Sequence, residues 1–192
     1  MGVAAAPRGA FRHPIYLETP RVEMPKSISV DAQGNPDGFT PPALFSPQVA
    51  PDGTTRLLVS APDELIAQAH SALISVLEGP LGVRYLQLID RRNEKDQREK
   101  PRSWVALDVA EDRLVEQLGK SHELAYLDGR AQLWVRGRLG DQVILDELGM
   151  LYAYPDDPAF RRALEAIGVN EGTGHTLADR DYLKVEFLAA AD

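Results

Sequence analysis

Two groups of charged side chains in this sequence have the types and spacing to do chemistry. The first is Arg91-Arg92-Asn93-Glu94-Lys95-Asp96-Gln97-Arg98-Glu99-Lys100-Pro101-Arg102, with six basic and three acidic residues in a chain of net charge −8. Read functionally, Arg91, Arg92 and Lys95 make a basic finger for an acidic partner or a nucleic acid. The plainer reading is a solvated loop whose mixed charges keep it off the sheet. The second group is late and acidic: Asp141, Asp146, Glu147, Asp156, Asp157, Glu171, Asp179 and Asp181. Carboxylates that converge with a histidine can hold a metal for hydrolysis, and His175 with Asp179 and Asp181 is the only local start to such a site. Its spacing matches no metal motif. Asp156-Asp157 ahead of Pro158 also suits a helix cap.

Other chemistries are poorly supported. The chain has no cysteine, which removes disulfides, thiolate metal sites and cysteine nucleophiles. No serine sits in a Gly-x-Ser-x-Gly elbow. Of the histidines, His70 borders an apolar helical stripe and reads as a packing residue. Glu171-Gly172-Thr173-Gly174-His175-Thr176 is glycine-rich but follows a helix, the wrong order for a phosphate cradle. No cofactor is therefore expected. Net negative charge, and strands 56–59 and 103–107 that between them carry only Trp104 as an aromatic, disfavour nucleic acid. Aromatic side chains at Trp104, Tyr126, Trp134, Tyr152 and Tyr154 fall on predicted strands, where core packing is the default use. Trp134 differs, because Arg136 and Arg138 follow it at the same parity and imply a half-exposed strand face.

The elements that must position these residues are legible from pattern. Ten of the 14 prolines lie within the first 62 residues, which excludes a long helix there. Residues 1–42 read as a proline-rich extended arm and 43–192 as a single α+β domain. Within the arm, Ile15-Tyr16-Leu17 and Ser27-Ile28-Ser29-Val30 are short extended pieces. Leu44–Val49 and Thr55–Ser60 flank Pro51-Asp52-Gly53, a turn sequence, and predict a pair of strands. Pro62-Asp63-Glu64 opens a helix carrying Ile66, Ala69, Leu73, Val76 and Leu77 at helical spacing, stopped by Gly79-Pro80. Strands follow at 83–89 and 103–109, a helix at 110–119, and strands at 123–127 and 132–136 around Asp128-Gly129. Strands at 142–145 and 150–154, a helix at 158–167 and a strand at 182–188 complete the reading.

The order over 55–127 predicts a ferredoxin-like βαββαβ core, extended by further antiparallel strands and a C-terminal helix and strand, with about three helices in all. The composition, 44% hydrophobic and 26% charged, is ordinary for a globular protein. No apolar run is long enough to cross a membrane and no signal peptide is evident, so the expectation is a cytoplasmic, bacterial-type protein. The expected function is an acidic, non-catalytic protein-binding module of the immunity or inhibitor type, which neutralises a basic toxin or enzyme. Asp146, Glu147, Asp156, Asp157 and Trp134 are the expected partner contacts, with Arg91, Arg92 and Lys95 on the basic loop. Two alternatives stand beside it: a hydrolase using carboxylates and His175, and a structural subunit of a homo-oligomer whose arm reaches a neighbouring copy.

Overall fold

The structure, a computed structural model, describes residues 26–50, 52–88 and 101–184. In chain order the elements are β1 (Ser27–Ser29), β2 (Leu44–Val49), β3 (Thr55–Ser60), α1 (Asp63–Ile74), β4 (Leu81–Gln87), β5 (Arg102–Val109) and α2 (Glu111–Lys120). A π-helical turn (Glu123–Leu127) follows, then β6 (Ala131–Arg136), β7 (Gln142–Leu145), β8 (Leu151–Tyr154), α3 (Pro158–Glu165) and β9 (Asn170–Glu171). A 3₁₀ turn (Leu177–Asp179) and β10 (Tyr182–Lys184) complete the described chain. Eight strands form one sheet in the order β5-β4-β6-β7-β8-β3-β2-β9, and β1 pairs with β10 in a separate two-stranded sheet. Every pairing is antiparallel except β2 with β9. The fold is α+β, as the sequence predicts. None of the described helices is long and apolar enough to cross a membrane.

The ferredoxin-like core is not formed. Residues 123–127, predicted as a strand, continue from α2 as a helical turn with Ala125 N–H bonded to Ser121 C=O. Glu, Leu and Ala are good helix formers, and no proline interrupts the run after α2. Burial of Ala125, Tyr126 and Leu127 under the core then fixes the turn in place. The strand order departs as well: β6, β7 and β8 lie between β4 and β3. Short turns explain why these three enter together. Gly137 N–H bonds Asp141 C=O with Gly140 at φ 97°, and Asp146 N–H bonds Met150 C=O with Gly149 at φ 83°. Tight connections like these force neighbouring antiparallel strands.

Alternation along the strands sorts side chains between two faces. Leu57 and Val59, Leu151 and Ala153, Val143 and Leu145, and Leu133 and Val135 share one face through their cross-strand pairing. They are all buried, in one cluster with Ile66, Ala69, Leu73 and Ile74 of α1, Leu114 and Leu118 of α2, and Phe160 and Leu164 of α3. Each valine, leucine, isoleucine or phenylalanine among them contributes about 1.5–3 kcal/mol through burial. All three α-helices therefore pack on this face. Among the described residues the other face carries a second layer at one end, where Phe39, Leu148 and Leu177 pack with Leu58, Met150 and Tyr152, and Ile144 beside it is also buried.

Candidate functional site

Asp146 and Glu147 sit in the turn before β8, whereas Asp156 and Asp157 come after it. The strand between them separates the four acids into two places, so they do not form one patch. Asp146 is buried, and its Oδ1 accepts from the amides of Leu148 and Met150 at 2.9 and 2.8 Å. Its carboxylate closes the turn and is turned away from the surface. Glu147 is half-buried and accepts from Gln132 Nε2 at 2.6 Å and from Lys184 Nζ at 3.4 Å. Asp156 is held by two bonds from Arg161, Nε to Oδ1 at 2.8 Å and Nη2 to Oδ2 at 2.7 Å. That guanidinium keeps the Asp156 carboxyl below its ordinary range. Asp157 caps α3, accepting from Ala159 N–H at 2.7 Å. Arg91, Arg92 and Lys95 lie outside the described residues.

The second acidic possibility, His175 with Asp179 and Asp181, does not converge. Asp179 Oδ2 accepts from the Thr176 amide and hydroxyl at 2.8 and 3.0 Å in a capping box. Among the described residues, no three histidine or carboxylate side chains are placed to hold a metal ion.

A buried polar cluster lies where β1 meets the start of β6. Lys26 is only 2% exposed, and its Nζ donates to Ala131 C=O at 2.8 Å. Burial lowers its ammonium to about 8, against the opposing pull of Asp146 and Asp128. Burial likewise pushes the Asp146 carboxyl up to about 6, although its two amide bonds act to lower it. His70, on α1, is fully buried. Its Nδ1 lies 3.0 Å from Tyr126 Oη, its Nε2 has no partner, and burial drives it down to about 3. These groups have displaced proton affinities, but they are packed away from solvent, as suits a structural network. Lys26 lies within the proline-rich arm, where no periodicity marks a buried position. His70 matches its sequence reading as a packing residue.

The helix-free face of the sheet has a different character. Cross-strand pairing sets Arg84 beside Trp134, Trp134 beside Ile144, Ile144 beside Tyr152, and Tyr152 beside Leu58. A second row runs from Arg136 through Gln142 and Tyr154 towards Arg56 and Gln48. Arg56 lies over the Tyr152 ring at 4.4 Å from its centroid, donates to Tyr154 Oη, and reaches Gln48 Oε1 at 3.3 Å. Arg84 lies over the Trp134 ring at 5.9 Å. Trp134 Nε1 donates to Gln132 Oε1 at 3.0 Å, and Gln132 in turn donates to Glu147. Two of the expected contacts, Trp134 and Glu147, are thus joined through Gln132.

No Asp or Glu occupies a position on this face from β2 through β8. Arg84 and Arg136 are exposed, and Trp134, Tyr152 and Tyr154 are half-buried. The helices opposite carry Asp63, Glu64, Glu111, Asp112, Glu116 and Glu165. The helices also carry Arg113, Lys120, Arg161 and Arg162, so that side is of mixed charge, whereas the charged strand positions of the helix-free face from β4 to β3 are Arg84, Arg136 and Arg56, with Glu147 at its margin. The parity of Trp134 with Arg136 signalled this face, but Arg56 and Arg84 carried no sequence signal of their own. No protein-family model, curated protein or solved structure matches this chain.

Proposed function

We propose that this protein is a protein-binding module and that its contact surface is the helix-free face of the sheet. One observation carries the reading. In a chain of net charge −8, the face left free of helices collects Arg84, Arg136 and the rings of Trp134, Tyr152 and Tyr154, and no strand position there is acidic. Aromatic and arginine side chains are the residues that most often dominate protein interfaces. The arginines make an acidic protein surface the fitting partner, steered to this face by charge. The acids expected to meet a basic toxin or enzyme contribute less to this reading. Asp146 is buried in its turn, Asp156 is paired with Arg161, and Asp157 is engaged by an α-helix amide.

The test uses three baits made from the full chain: wild type, Arg84→Glu/Arg136→Glu, and Asp156→Asn/Asp157→Asn. Each is incubated at low salt with lysate from the cells that express the protein, and captured proteins are quantified by mass spectrometry. A partner with an acidic patch, held by wild type and by the Asp variant but lost from the Arg variant, supports the reading. Equal recovery on the Arg variant, or loss on the Asp variant alone, overturns it.

A further inference from the structure

The two edges of the sheet differ in how they are protected, and the difference points to a second copy of this chain. At one edge lies β9, two polar residues long, beside a β2 that contains Pro47. Short edge strands and prolines are ordinary devices against edge-to-edge pairing. Among the described residues the other edge is β5, eight residues long, with no proline or lysine. It carries Trp104, Val105 and Leu107 at 51%, 63% and 72% exposure, three of the seven large apolar side chains exposed among the described residues. Leu107 lies over Gly82, and Trp104 rests against Tyr85 with ring centroids 5.7 Å apart.

The hydrogen-bond direction of this edge follows from the sheet. Leu88 N–H bonds Arg130 C=O, so Leu86 and Arg84 turn their amides towards β6, and Gln87, Tyr85 and Val83 turn theirs towards β5. Their partners Arg102, Trp104 and Ala106 face back to β4. Ser103 and Val105 therefore direct N–H and C=O outward, away from the sheet. A β-bulge with Asp108 at φ 56° ends the regular stretch.

We propose that β5 pairs antiparallel with β5 of a second copy, about a two-fold axis near Trp104–Val105. This self-complementary arrangement closes after two chains. It joins the outward groups of Ser103 and Val105 to their counterparts and covers Trp104, Val105 and Leu107. The axis stands perpendicular to the sheet, so the two helix-free faces lie on the same side of the dimer. The pairing does not rest on the binding function proposed for that face.

Sedimentation velocity of the full chain across a concentration series tests this. The expected species is a dimer of twice 21.1 kDa that dissociates on dilution. Val105→Pro removes an outward donor but no bond to β4, so it should give a monomer whose melting curve matches that of wild type diluted until it dissociates. Val105→Lys, which leaves the backbone intact, should weaken the dimer at least tenfold by side-chain repulsion and desolvation. A wild-type monomer at every concentration overturns the proposal. So does a dimer that both variants leave intact, and neither result bears on capture by the helix-free face.

Discussion

Replacing Lys26 by methionine tests whether the buried ammonium is a fastening of the fold or an incidental charge. Methionine keeps most of the side-chain volume, so the change removes chiefly the bond to Ala131 C=O and the positive charge near Asp146 and Asp128. Removing one member of a buried charged set costs about 3–5 kcal/mol, because the remaining charge is left uncompensated. At pH 7 that cost is opposed, because burial already penalises the folded ammonium by about 3 kcal/mol, so Lys26→Met should lie within about 1 kcal/mol of wild type there. Adding Asp146→Asn retains the Oδ1 acceptor but removes the stranded charge, so the double variant should be more stable than Lys26→Met alone. Linkage supplies an independent readout. The folded ammonium titrates at about 8 rather than 10.5, so between these values the unfolded chain binds the proton more tightly than the folded protein. Stability must then rise with pH in this window and be lost as pH falls through it. Integrated from pH 8 to 10, Lys26 alone contributes about 2 kcal/mol. Above pH 10 the buried Tyr126 and Tyr152 hydroxyls, displaced upwards, act the other way. Urea unfolding at pH 7, 8, 9 and 10 reads both effects. A Lys26→Met protein more than about 2 kcal/mol less stable than wild type at pH 7, or one that keeps the same alkaline rise, would refute the reasoning.

Two further predictions concern single contacts. Burial holds His70 neutral in the folded protein down to about pH 3, whereas the unfolded chain takes up its proton near 6.5, so stability is lost as pH falls below 6.5. That loss is about 2 kcal/mol by pH 5; an NMR titration should find an imidazole that does not move between pH 7.5 and 5, and a shift centred near 6.5 would contradict it. Asp157→Ala removes the side-chain cap of α3 and should cost about 1 kcal/mol by urea unfolding, with no cost if the Ala159 amide bond is unimportant.

Local structure was legible in the sequence wherever two kinds of signal agreed. Thr55–Ser60 and Gln142–Leu145 are marked by short apolar runs beside turn residues, and α1 by an apolar stripe between Pro62 and Gly79. The miss at Glu123–Leu127 arose because Asp128-Gly129 is a hairpin signal that here serves another end. Asp128 instead accepts from Arg130 N–H at 3.0 Å, turning the chain from the π-helical segment into β6. Strand order was not legible, because pairing between β3 and β8 joins residues almost a hundred positions apart and leaves no local mark. The acids were misleading for a related reason. An aspartate that caps a helix or closes a turn looks, in sequence, the same as one presented to a partner.

The same observation decides where binding should be sought. Four late acids were candidates for contact, and the fold engages each one locally: Asp146 by turn amides, Glu147 by Gln132 and Lys184, Asp156 by Arg161, and Asp157 by the start of α3. A carboxylate so engaged already has part of its charge and acceptor capacity satisfied, so it offers less to a partner. Arg84 and Arg136 are in the opposite position, exposed on a surface that the helices leave free, beside rings that are already ordered by the sheet. Little further ordering is needed there, so more of any contact energy would appear as affinity. Net charge describes the chain as acidic. Along the strands of the helix-free face, by contrast, the charged side chains are Arg84, Arg136 and Arg56, and that is the face we propose a partner meets.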